Sequence, residues 1–534
     1  MSMLVQEFTL ENLNPALALG ALVLLVAVAA VRLAVRSGLP SLLLYLAIGI
    51  AIGEAGFGIE FESTTLTQVL GYSALVLILA EGGLTTSWSG IRDSVAPAAV
   101  LSTLGVLVSV AVVSVAGHYF LHVSWTIALL VGAVLSSTDA AAVFSVLRRV
   151  PLPRRVTGML EAESGFNDAP VVLLVVTLAQ QAVPGAETHP WWQLLLIAVA
   201  ELVGGAAIGL AIGYGGGRML RLVASASSAL FSIGVLALTV LAYAAASLLH
   251  TSGFIATYLA ALVLGNMRLP HRPAVRTIAQ ALGWLAQIGL FVLLGLLASP
   301  GNLGGHILPA LGIGSVLLLL ARPASVVVSM TPFRVPWREQ AFLSWAGLRG
   351  AVPIVLATVP LTVGTPGVEG LFDFVFVLVV IFTLVQGPTL PWVARRLGLS
   401  EAAHTVDVEV ESTPLEEMGA DLLQVQIGPT SHLHGVELFE LRLPAGANVT
   451  LVVRGDKGFV PTPNTPLRRG DQLLIVTTAE ARRRAEQRVR EVSERGRLAG
   501  WPTTGDRRPA RPPTADRPSV APVGGARRRR RSGG

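Results

Sequence analysis

The chain has 534 residues, of which 52% are hydrophobic and only 13% charged, where a soluble protein would carry about a quarter charged residues. It has no cysteine, which excludes disulfides and thiolate metal sites. The net charge of +6 is uneven: from Arg482 onward 16 Arg stand against 5 acids, a net of +11, so the remainder carries −5 and the basic character belongs to a tail.

Apolar stretches of about 20 residues, the length that crosses ~30 Å of hydrocarbon, recur up to residue 397 and predict an all-α polytopic membrane protein. The opening MSMLVQEFTLENLN carries acids and no basic n-region, so the first span is expected to stay in place rather than be cleaved. Thirteen transmembrane helices are predicted, at about 14–34, 40–56, 66–85, 95–118, 124–148, 157–182, 191–220, 228–249, 253–266, 274–298, 305–330, 338–361 and 370–397. One alternating set of loops holds Arg32 and Arg36, Arg92, Arg148 to Arg155, Arg218 and Arg221, Arg268 to Arg276, Arg334 and Arg338, and Arg395 and Arg396. The other set has no Lys or Arg. Since cytoplasmic loops carry the positive charge, the N-terminus is expected outside and the C-terminus in the cytoplasm.

Two spans are interrupted. The fifth is broken by Ser136-Ser137-Thr138-Asp139, and the twelfth by Gly347, Gly350 and Pro353 around Arg349. They lie seven spans apart, so they run in opposite directions. That is the pattern of inverted repeats whose broken helices cross near the midplane. The transmembrane domain is taken as 1–400 and a polar, acidic linker as 401–420. Residues 421–480 are expected to form a small soluble α/β domain with strands in LLQVQI, NVTLVVR and DQLLIVTT and turns at Arg454-Gly455-Asp456 and Arg469-Gly470-Asp471. A charged surface helix is expected over 481–499 and a disordered basic tail over 500–534.

An ionisable residue inside a span costs at least ~2.5–3.5 kcal/mol, so it is rarely there without a role. Asp139 lies in the fifth span. In the sixth, Glu163 and Asn167 are four apart, as are Ser164 and Asp168, which groups the four along one helical face. A small monovalent cation wants several oxygens, which a carboxylate, hydroxyls and carbonyls supply. Burial raises a carboxylate's pKa and a bound cation lowers it, so one Asp can hold either a proton or a cation. Arg349 needs an acid or helix carbonyl ends, and Glu163 is the expected partner. Glu81, near the end of the third span, is a candidate for a vestibule. Glu201, in the seventh span, could also line a vestibule, though a plain interfacial acid is the simpler reading; Asp373 reads as interfacial, and Gln280 and Gln287 receive no role. The nine His show no metal-ligand pairing, and no Ser-His-Asp set or HExxH motif points to an enzyme. The Arg-rich tail could meet anionic lipid, though a solvated tail is the simpler reading.

SSTDAAAVF, ESGFNDAP and GLRGAVPIVLA, in this order, resemble the monovalent cation/proton antiporters of the electroneutral branch, over about residues 10–400. The bacterial potassium/proton subgroup, which also carries a soluble domain after its last span, is the most similar. The resemblance implies Asp168 as proton/cation carrier, Thr138 and Ser164 as oxygen ligands, Asp139 holding Asn167, and Glu163 touching the site through water or pairing with Arg349. Asn rather than Asp before the carrier implies one-for-one electroneutral exchange. A homodimer, with a core moving against a dimerisation scaffold, is also implied. Residues 415–480 resemble the C-terminal domain of regulators of potassium conductance. Such domains dimerise and take small regulators, sometimes nucleotides, but no companion Rossmann half is present. The expected function is potassium/proton antiport across a bacterial inner membrane, with sodium/proton exchange and a membrane-bound sensor with an inactive transport domain as rivals. A potassium channel would need a filter such as TVGYG, which the sequence lacks. No cofactor, no nucleic acid and no metal beyond the transported cation is called for.

Overall fold

The computed structural model describes residues 10–399, except 38, 55, 57, 59–62, 140–141, 144–151, 186–189 and 224–226, and residues 410–496, except 416–419, 456 and 479. The chain divides into two compact units, Met1–Ala403 and His404–Gly534. Arg148, Arg149 and the basic tail lie outside the described residues.

The described elements of the first unit are all helices, as hydrocarbon demands, because each backbone group must be satisfied within its own segment. In chain order the helices are α1 (Leu10–Ser37), α2 (Ser41–Ile52), α3 (Thr64–Thr85), α4 (Trp88–Leu121), α5 (Trp125–Val134), α6 (Arg154–Gln181), α7 (Trp191–Leu222) and α8 (Ser228–Leu248). They continue with α9 (Gly253–Asn266), α10 (Arg272–Leu297), α11 (Pro300–Phe333), α12 (Trp337–Trp345), α13 (Ala351–Val363) and α14 (Leu371–Arg396). Among the described residues, eight helices are long and apolar enough to cross a membrane, and shorter apolar helices accompany them.

Both expected interruptions are present. Helix α5 starts on Ser124, whose hydroxyl accepts from the Ile127 amide, and stops after Val134. There the Ser136 hydroxyl turns back to Gly132 O at 2.6 Å, and residues 137–139 leave the helix. Ser, Thr and Asp favour this because their side chains offer the backbone alternative partners. Residues 346–350 separate α12 from α13. Pro353 then falls in the first turn of α13, where a missing N–H costs nothing. The two breaks touch: the Asp139 amide donates to Leu348 O at 2.9 Å.

The second unit is a five-stranded antiparallel sheet in the order β1-β2-β5-β3-β4, with β1 Val410–Leu415, β2 Ala420–Gln426, β3 Ala447–Arg454, β4 Lys457–Phe459 and β5 Gln472–Thr478. Two expectations need correction. Part of the 401–420 linker is strand β1, which lies at the edge of the sheet. The expected surface helix, α15 (Arg482–Arg495), buries Ala485, Val489 and Val492 in the same core as Leu423, Val452 and Ile475, so it belongs to the domain. Arg454 and Asp471, from the two sequence-read turns, join the sheet's ends. The guanidinium donates from Nε and Nη2 to the buried carboxylate at 2.8 Å each, which holds Arg454 protonated above its ordinary range.

Candidate functional site

Helix α6 carries the site through the place where the two breaks meet. Pro170 inside it removes the donor that would satisfy the Phe166 carbonyl, loosening the turn that bears Asn167 and Asp168. Asp168 is 7% exposed, and its Oδ1 accepts from the Ser137 hydroxyl at 2.8 Å. Ser137 was legible only as part of the break, yet its hydroxyl is the one that fixes the Asp168 carboxylate.

Asn167 is fixed otherwise than expected. Its Nδ2 donates to Ser136 O and to the Thr138 hydroxyl, each at 3.2 Å, so Thr138 and the broken backbone, rather than Asp139, orient the amide. Its Oδ1 is buried without a hydrogen bond. Thr138 in turn donates to Glu163 Oε1 at 3.2 Å.

The expected Glu163–Arg349 pair is also corrected. Glu163 is held by Arg322 of α11 in a two-pronged contact, Nη1 to Oε1 at 2.5 Å and Nη2 to Oε2 at 2.8 Å, with both side chains buried. Arg349 instead donates to Ser136 O at 3.0 Å and to Ser137 O at 2.5 Å. The reason is local: the end of α5 exposes carbonyls at the negative pole of a helix, and the guanidinium that emerges from the opposite break reaches them. The reverse holds at α13. A Cβ on Gly350 would run into the Asp139 carboxylate, so only glycine leaves room for that acid beside the positive N-terminus of α13. Each break thus supplies the charge that the other helix end lacks. From α14, the Thr383 hydroxyl donates to Arg349 O at 3.2 Å and Gln386 Nε2 caps Trp345 O at 2.8 Å; the sequence reading singled out neither, nor Arg322.

A cavity of about 360 Å³ opens beside Asp168. Thr138, Asp139, Ser164 and Asp168 line it, as does Glu81, the vestibule candidate. So do Glu161, unnoticed in the sequence, and Gln287. Among the described residues, four carboxylates and no Lys or Arg line this space, which raises the local concentration of cations and repels anions. The four α6 residues expected on one face divide into two stripes. Glu163 and Asn167 face the break, while Ser164 and Asp168 face the cavity, because successive helical residues are turned by about 100°. Glu201 and Asp373 are not among the cavity's lining residues.

Crossed helix breaks over a buried carboxylate, in a bundle of apolar helices, define a membrane carrier for a small cation. The chain matches the sodium/hydrogen exchanger (transmembrane) family over residues 21–396 and therefore belongs to it; residues 422–490 match the TrkA-C domain. It is 39% identical over 420 residues to the K(+)/H(+) antiporter NhaP of Alkalimonas amylolytica, covering 78% of this chain and 71% of that protein. It is 35% identical over 475 residues to K(+)/H(+) antiporter NhaP2 of Shewanella oneidensis, covering 87% and 82%. The Na(+)/H(+) antiporter NhaS2 of a Synechocystis species is 30% identical over 349 residues, 61% of each chain. Among solved structures, the sodium proton antiporter MjNhaP1 of Methanocaldococcus jannaschii superposes with a TM-score of 0.63 at 21% identity, covering 72% of this chain and 99% of that one, a likeness of fold.

Proposed function

We propose that the chain is a potassium/proton antiporter of a bacterial inner membrane, exchanging one cation for one proton by alternating access. The observation that carries this reading is Asp168: a buried carboxylate with one oxygen tied to Ser137, facing a cavity that no Lys or Arg lines among the described residues. A proton neutralises it, and so does a bare monovalent cation with Ser164 and Thr138 oxygens nearby, but not both together. The electroneutral count is what the resemblance implies for Asn, rather than Asp, at position 167 before Asp168. Potassium is favoured because relatives alike over most of their length are K(+)/H(+) antiporters. Sodium is the second reading, favoured by the family description and by the Synechocystis relative.

In this reading thirteen spans, built as inverted repeats, put the N-terminus outside and the C-terminus in the cytoplasm, so that Arg92, Arg154 and Arg155 mark the cytoplasmic side. The cavity lies at the end of α3 nearest Arg92 and at the start of α6, and thus faces the cytoplasm. The protein acts as a homodimer, and its sheet domain takes a small regulator.

Proteoliposomes holding an acid-inside pH gradient and a fluorescent pH reporter test the cation. KCl is expected to collapse the gradient at concentrations several-fold below those needed for NaCl. A stronger response to NaCl would keep the mechanism and replace the cation; no response to either would overturn antiport.

A further inference from the structure

We propose that Glu161, Glu81 and the hydroxyl of Tyr258 form a second station for the transported monovalent cation, set in the cavity before Asp168. The inference rests on the antiport reading and adds to it a place where the ion sheds part of its water before it meets the carrier.

Glu161 stands seven residues before Asp168 on α6, two turns along the same stripe and roughly 10 Å away. That separation is too long for one ion to touch both carboxylates. Between them lies Gly165, and Tyr258 of α9 crosses α6 there: a Cβ at Gly165 would overlap the Tyr258 ring and sit within 2.6 Å of its hydroxyl. The missing side chain is what lets a phenol lie between the two acids. Phe166 braces the ring edge-on, with centroids 5.6 Å apart.

Tyr258 is 2% exposed and lines the cavity, and its hydroxyl, beside the Thr86 side chain and facing Glu161, has no hydrogen bond of good geometry. A buried hydroxyl without a partner is costly, so this one is expected to serve something that enters the cavity. Across the space, Glu81 projects from the last turns of α3, its stem lying against Gly283. Among the described residues neither Glu81 nor Glu161 is in an ion pair. Two unpaired carboxylates and a free hydroxyl oxygen make an oxygen-rich lining suited to a partly hydrated monovalent cation, and the wet cavity supplies the remaining ligands.

The test is the dependence of initial exchange rate on K+ in proteoliposomes of the full-length protein. Glu161→Gln is expected to raise the KM for K+ about tenfold, the loss of one charge-assisted contact, while the rate at saturating K+ changes less than about twofold. Tyr258→Phe, which keeps the ring and its packing, is expected to raise KM about threefold, and Glu161→Asp to restore most of the loss. Unchanged KM in both Glu161→Gln and Tyr258→Phe would overturn the station and leave antiport through Asp168 intact. A fall in maximal rate at constant KM would also overturn it, as a purely structural role. If Glu161→Gln fails to fold, the isosteric Tyr258→Phe decides alone. A wild type that moves no protons with K+ would overturn the antiport reading itself.

Discussion

Asp168→Asn is expected to reduce cation/proton exchange by on the order of a hundredfold or more, with the protein still folded. The asparagine keeps the size of the side chain and still accepts from Ser137, whose hydroxyl lies 2.8 Å from Oδ1. It removes the one group at this position that alternates between proton and cation. A binding site merely weakened would be rescued by raising K+; a lost proton carrier is not. Proton movement driven by K+ in proteoliposomes should therefore remain near background at every K+ concentration. Recovery at high K+ would show that another group carries the proton.

The second large effect is expected at the Glu163–Arg322 pair. Its side chains are 3% and 6% exposed, and removing one partner of such a pair costs about 3–5 kcal/mol because the other charge is left buried. Arg322→Met should lower the unfolding temperature of the purified protein sharply. Adding Glu163→Gln should recover most of that loss, since the amide is neutral and still accepts from Thr138. A double variant that loses as much as the two single changes combined would contradict the pairing. Glu163 anchors Thr138, Thr138 anchors Asn167, and these contacts set the turn that presents Asp168.

The sequence carried much of this site because its chemistry is local. Asn167 and Asp168 are adjacent, Thr138 and Asp139 sit in one broken span, and a carboxylate in an apolar run is a strong signal. Pairings between distant spans were not legible. Arg322 lies inside the eleventh predicted span with no Gly- or Ser-rich break beside it, whereas Arg349 stands beside the break and drew the assignment to Glu163. Nothing in a linear chain says which of two guanidiniums comes to face one acid 159 residues away. Glu161 was passed over for a helical reason. It is two residues from Glu163 and therefore lies on a different side of α6, and grouping by fours selected Glu163 with Asn167 and Ser164 with Asp168. The i to i+7 relation that places Glu161 in line with Asp168 becomes meaningful only once the cavity is seen. In the soluble unit, β2, β3 and β5 were plain from their apolar and β-branched runs, while a proline within the short, polar run of β1 disguised an edge strand as a linker.

The central claim is that one carboxylate, Asp168, holds either a proton or the cation. Proton release on adding KCl to the purified wild-type protein in weakly buffered solution tests it most directly. The account predicts release of about one proton per protomer, saturating with K+, and none from Asp168→Asn. Saturable K+ binding to the wild type without proton release, or equal release from Asp168→Asn, would contradict it.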